Sequence, residues 1–336
     1  MLLGSIVVSS CGSGTEGADA PPSSFVAVHP GDDMVDTIPA VDIGAGTTGL
    51  RGAIAAGVLE GDPANPYAGL RRLDGEIVID ETWLAEHNGG SRVVENFDLT
   101  GSLVIATSDV TVRHCRIRAA LPALYAVQNN RENLDGGGFL LAWCEISFAN
   151  PGGKVVLGRD MTLYRNDISG GEDGVHVNHD GATSGPVHIE QNYIHGQLRP
   201  EGHHSDGIQF NGDPGGLVVV RGNKVINHLK DDNAPVMLSG LDEITIEDNY
   251  LWGGVYFMVG GVDGTLTSRH NQFGWDSTKF GAYGVSEGEV VIDDDTWAEW
   301  IDPEHIDKQG YEIEAPTMPS PAGQVGTVVP PSYPPS

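Results

Sequence analysis

The stretch VHIEQNYIH, Val187 to His195, alternates apolar with polar residues, is interrupted by a small amide residue at Asn192, and then resumes with an apolar pair. The pattern recurs along the chain. It returns as VVENFDL, VTVRHCRIR, LLAWCEISF, MTLYRNDIS, VVVRGNKVI, ITIEDNYLW, LTSRHNQFG and VVIDDDTWA, with the small polar position at Asn96, Cys115, Cys144, Asn166, Asn223, Asn249, Asn271 and Asp295. The steps average about 25 residues, in the manner of a solenoid coil with loops of varied length.

A second series of short runs lies between these segments: YAVQ, KVVLG, DGVHVN, DGIQFN, PVMLSG, VYFMVGG and YGVSEG. Each coil therefore has at least two strands separated by Gly, Asn and Asp turns, and no segment keeps helical periodicity over several turns. Strands that recur once per coil lie parallel, about 4.8 Å apart, which is a parallel β-helix. An Asn at the same corner of each coil can bond the backbone of its own turn and the Asn of the next, satisfying polar groups that the bend buries.

These segments resemble the right-handed parallel β-helix proteins of the pectate-lyase-like superfamily. The resemblance spans about Asp74 to Trp297. It is closest to secreted bacterial repeat proteins with V-T-V-R-x-C/N-x-I and H-x-D-G-I-Q signatures, here Val110 to Ile117 and His204 to Gln209. It implies an all-β, right-handed solenoid of about eight to nine coils at 74–300. Residues 37–73 would form an N-terminal cap that shields the first open edge. The Pro-rich tail at 301–336 would carry no packed structure.

The 336 residues hold 18 Lys and Arg against 47 Asp and Glu, a formal charge of −29. That balance argues against nucleic acid or an anionic membrane as a partner, since both need a basic face. At the N-terminus, Val8-Ser9-Ser10-Cys11 resembles the lipobox of bacterial lipoproteins. The resemblance implies cleavage before Cys11, lipid on its sulfur, and a monomer exported to the cell surface on the flexible tether of residues 1–36. Cys115 and Cys144 occupy successive corners, close enough for a disulfide, although stacked side chains pointing the same way favour two reduced thiols.

The chemistry concentrates on two neighbouring coils. EDGVHVN, Glu172 to Asn178, and SDGIQFN, Ser205 to Asn211, share one pattern across a step of 33 residues, which stacks Asp173 beside Asp206, His176 beside Gln209, and Asn178 beside Asn211. Strand alternation sends Val175, Val177, Ile208 and Phe210 inward and His176, Asn178, Gln209 and Asn211 outward. The following coil places Met237 opposite Gln209, so the polar patch ends there. Long loops add His195, Arg199, Glu201, His203 and His204, then His228, Lys230, Asp231 and Asp232, with His179 just past Asn178.

Three chemistries could use this set. In a polysaccharide lyase, a base removes the proton beside a uronate carboxylate. Glu172, Asp173 and Asp206 could then hold Ca²⁺, Arg199 or Lys230 could neutralise or abstract, and a histidine could assist, with Asn178, Gln209, Asn211, His228 and Lys230 binding substrate. In a glycoside hydrolase, Asp173 and Asp206 would be the acid and base. In a metal site, His176, His203, His204 and an acid would bind zinc, although no strong zinc spacing is present. A catalytically silent glycan binder is a further reading, since fold alone does not assign function.

The bland readings stand beside these. An Asp-Gly pair at a strand start is commonly a turn, with Gly supplying positive φ. Most surface histidines do no chemistry. Relative to the β-helical polygalacturonases, GEDGV and HSDGI resemble only the acidic pair, and Gly-His-Gly and Arg-Ile-Lys are missing. Tyr193, Tyr250, Trp252, Tyr256 and Trp275 could stack on sugars or fill the core.

Overall fold

The computed structural model describes residues 37–129, 138–178, 185–201, 203–227, 233–274, 281–293 and 295–298. Cys11, His179, His228, Lys230, Asp231, Asp232, Trp275 and the tail at 301–336 lie outside them. Every strand pairing within the described residues is parallel, and the strands wind into a β-solenoid. One face carries ten strands, from Arg71–Asp74 to Thr296–Ala298. The second face starts at Ile77–Ile79 and the third at Val93–Glu95. The coil count departs slightly from the eight to nine expected.

Later in the chain the second and third faces fuse. Ala234–Glu247 and Tyr256–Arg269 are single strands of 14 residues that bend through the corner, and the pairing slips between Leu238 and Glu243. The interior is a column of aliphatic and Phe side chains running from Ile79 to Val290. Each coil contributes one layer, so a core residue packs against its equivalents above and below.

The corner between the third and first faces carries the expected amide ladder. The backbone N–H and side-chain amide of Asn166 both donate to Oδ1 of Asn192, at 2.9 and 3.0 Å. The same pair of hydrogen bonds links Asn192 to Asn223, Asn223 to Asn249, Asn249 to Asn271, and Asn271 to Asp295. The described residues that precede ladder positions adopt a left-handed conformation, as at Trp143, Arg165, Gln191, Asp248 and His270. That strain, roughly 1 kcal/mol per residue, is offset by amide bonds made without competing water.

Asn96 is not a ladder residue. Its φ of 60° places it in the left-handed position, and Phe97 is aligned one residue earlier than expected with Cys115, since Asp98 pairs with Arg116. Cys115 and Cys144 are buried, free thiols.

Among the described residues two seven-residue α-helices occur, Gly49–Ala55 before the first strand and Glu81–His87 between strands. The helix Glu81–His87 begins at Asp80, whose side chain accepts from the Trp83 N–H, and it buries Leu84 in the core of the first coil. This helix, inside the region expected to be pure solenoid, closes the first coil. Residues 37–70, within the 37–73 region read as a cap, run along the flank of the first face as a strap. Ile38 exchanges backbone bonds with the Gln191 side chain, both at 3.1 Å, and Lys224 Nζ donates to the Val41 carbonyl. The Gly49 N–H donates to the Arg165 carbonyl. Farther on, Tyr67 donates to Glu145 and lies 3.8 Å beneath the Arg116 guanidinium. The strap therefore travels backward over the coils before the first coil begins.

Among the described residues, no helix is long and apolar enough to cross a membrane.

Candidate functional site

The second face brings the two Asp-Gly strands together in the register the repeat implies. Val175 pairs with Ile208, His176 with Gln209, Val177 with Phe210 and Asn178 with Asn211, and Gln209 then faces Met237. Val175, Val177, Ile208 and Phe210 are core residues, while His176, Asn178, Gln209 and Asn211 reach the surface.

Simple alternation fails at the strand starts, and this failure builds the site. In the preceding coil both Val155 and Val156 enter the core. A side chain at Gly174 would likewise meet Ile194 of the core at 2.5 Å. Two successive inward positions leave Asp173 and His176, three residues apart, on the same outer side. Their side chains meet at 3.0 Å, Nδ1 to Oδ2.

Gly174 and Gly207 are therefore not turn glycines, and neither has positive φ. They are small because the coils touch: a Cβ on Gly207 would lie 2.2 Å from Val225.

Asp173 and Asp206 are both 0% exposed, and each divides its two oxygens between scaffold and site. Oδ1 of Asp173 accepts the Asp206 N–H at 3.2 Å, and Oδ1 of Asp206 accepts the Ala234 N–H at 3.1 Å. These bonds stitch three coils. Oδ2 of Asp173 meets His176, and Oδ2 of Asp206 meets Nδ1 of His204 at 3.2 Å and the Asn233 amide at 3.1 Å. A carboxylate bound to Nδ1 orients the ring and leaves Nε2 as the nitrogen available for chemistry.

Glu172 supplies a third such pair. Its Oε1 lies 3.2 Å from Nδ1 of His203, and its Oε2 lies 2.9 Å from Lys154 Nζ. Lys154 also reaches Oδ2 of Asp173 at 2.7 Å. A continuous chain of charge thus runs His203, Glu172, Lys154, Asp173, His176. The imidazoles at its ends differ in exposure: His203 keeps 57% of its side-chain surface and His176 12%, while His204, paired with Asp206 outside this chain, also keeps 57%.

The two aspartates have opposite proton affinities. Burial pushes Asp173 upward, but its bonds to His176 and Lys154 outweigh burial and hold its carboxyl below the usual value. Among the described residues Asp206 faces no ammonium at bonding distance; burial, helped by the charge of Asp173, pushes it up to about 6. His204 is raised by its bond to Asp206, against partial burial. Lys154 is raised despite its own burial, because Asp173 and Glu172 favour the ammonium. Environments that separate two carboxyls in this way commonly separate acid from base roles.

Arg199 is exposed, and its Nε donates to the His203 carbonyl at 3.2 Å, tying the loop that carries both exposed histidines. His195 belongs elsewhere. It lies on the first face, bonded to Asp167 at 2.8 Å and stacked on Tyr193 at 4.0 Å.

Tyr193, Tyr250 and Trp252 are also withdrawn from any sugar-binding role, because they are buried with Ala40 and Ile43 of the strap. Lys154 and Asn233 were missed in the sequence. Both are coil neighbours of the recognised acids, and extending the stacking to KVVLG and NAPVML would have found them.

The acids do not fit a Ca²⁺ ion. Glu172 and Asp173 are already bridged by Lys154, and among the described residues no group of three or more His, Cys, Asp or Glu converges on a metal position. His176, His203 and His204, the ligands of the zinc reading, are each engaged by a different carboxylate.

Compared with known proteins, the chain matches no family model, no curated protein and no solved structure.

Proposed function

We propose that this chain binds a uronic-acid-containing polysaccharide across the second face and cleaves it by β-elimination, as an exported protein similar to the pectate-lyase-like β-helices and held by lipid on Cys11. The observation that carries this reading is the set of outward imidazoles, each backed by a buried carboxylate, on neighbouring coils.

In this reading His176, oriented by Asp173, takes the proton from the carbon beside the uronate carboxylate. The electron pair left behind forms the new carbon–carbon double bond as the neighbouring glycosidic carbon–oxygen bond breaks. His204, the imidazole whose proton affinity is raised, gives its proton to the departing oxygen. Arg199, exposed on the same loop, offers the positive charge that the substrate carboxylate needs while the carbanion develops. Asn178, Gln209 and Asn211 line the outer rows beside the imidazoles and supply hydrogen bonds to sugar hydroxyls.

Hydrolysis by Asp173 and Asp206 themselves has less support, because neither carboxyl reaches the surface and each is committed to a neighbouring coil. The test is incubation with neutral and uronic-acid polysaccharides while following ultraviolet absorbance and new reducing ends. An unsaturated, absorbing product from uronic polymers is expected. Reducing ends without absorbance would replace elimination with hydrolysis, and silence in both with retained binding would make this a glycan-binding scaffold.

A further inference from the structure

Lys154 stands at the centre of the charge chain, although the elimination just described gives it no step. It lies on Lys154–Gly158, one coil before Asp173, and pairs in register with Asp173 and with Tyr125. Its ammonium binds Oδ2 of Asp173 at 2.7 Å, and that oxygen is the one that His176 approaches at 3.0 Å. Two donors thus share one carboxylate oxygen and its negative charge.

The charges around this point can be counted. Glu172 and Asp173 bring two negative charges to two imidazoles, His203 and His176, and Lys154 cancels one of them. From the next coil, Asp206 is engaged with His204 and Asn233, while the register neighbours of His176 itself, Leu157 and Gln209, are uncharged. With Lys154 in place, the remaining negative charge balances one imidazolium; without it, there is enough for two.

We propose that Lys154 is a positioning residue that reserves His176 as the proton acceptor of the site, by holding the carboxylate oxygen that would otherwise fasten a proton on the ring. This inference rests on the elimination reading and assigns its base a control element. Lys154 touches no substrate. It acts on His176 through Asp173, so its removal alters the pH at which His176 is competent, while Glu172, the other carboxylate it binds, keeps its bond to His203 through Oε1.

The test is pH titration of the histidine ring signals by nuclear magnetic resonance in the full chain, alongside the pH profile of ultraviolet-absorbing product. In Lys154→Met the His176 midpoint is expected to rise by about one unit, and the acidic limb of the activity profile to rise with it. Lys154→Arg, which keeps the charge, should restore both.

Should Lys154→Met fail to fold, Lys154→Met with Glu172→Gln removes one charge of each sign, and the Oδ2 charge, no longer shared with an ammonium, still predicts the rise at His176. An unmoved midpoint in either folded variant overturns the proposal. A moved midpoint in a protein that yields no unsaturated product upholds the charge control and rejects the elimination.

Discussion

The backbone N–H of Asp206 donates to Oδ1 of Asp173 across one coil, so the carboxyl that orients His176 also sets the height of the strand carrying the second acid. Scaffold and site share atoms here. Asp173→Ala should leave the buried Asp206 N–H unpaired and cost about 3 kcal/mol, read by chemical denaturation. Asp173→Asn, which keeps an acceptor oxygen, should recover much of that stability without recovering activity.

Asp206 gives the fold a pH signature. Its folded value of about 6 is raised, so the folded state holds this proton more tightly than the unfolded chain. The resulting stability is present in full below about pH 4, the ordinary carboxylate value, and is lost as pH rises through about 6. The size is about 3 kcal/mol. Denaturation midpoints measured from pH 4 to 8 should show this decline in the native chain, and Asp206→Asn should flatten it. Asp173, held low, works in the opposite sense: its contribution is present above pH 4 and is lost only as acid protonates it below that.

His176→Gln separates catalysis from folding. The ring is partly exposed and its carboxylate keeps Lys154, so thermal stability should change by less than about 1 kcal/mol. Formation of unsaturated product should fall by about 10²- to 10⁴-fold. Equal activity in native and variant protein would move the base to another imidazole.

The amide ladder predicts a large effect from a small change. Asn223 bonds Asn192, Asn249 and the Ile189 carbonyl without solvent. Asn223→Leu should leave several of these groups unpaired and lower stability by at least about 3 kcal/mol. Thermal melting should show it, and an unchanged midpoint would contradict the ladder.

The solenoid was legible because its signal repeats: one alternating pattern and one amide corner, returned coil after coil, survive local noise. Asn96 shows the limit. In VVENFDL an Asn stands beside Phe97, and composition alone points to the amide, although the coil puts its strain at Asn96 and its ladder position at Phe97.

The two acids were legible from stacking. Lys154 was not, because in KVVLG it reads as the polar end of an ordinary strand. The strap was hidden for a different reason. Its partners lie 153 and 183 residues away in sequence, at Gln191 and Lys224, and nothing periodic connects them. The same omission left Tyr193, Tyr250 and Trp252 open as sugar-stacking residues when the strap already covers them.

The strap also decides how the molecule would bear load. A bare solenoid touches only adjacent coils and frays from its ends. Here a pull on the N-terminal side enters at the Ile38–Gln191 clamp, midway along the stack, and must peel the chain back past Gly49 and Tyr67 before tension reaches the first coil. The coils that come first in sequence are then the last to feel it.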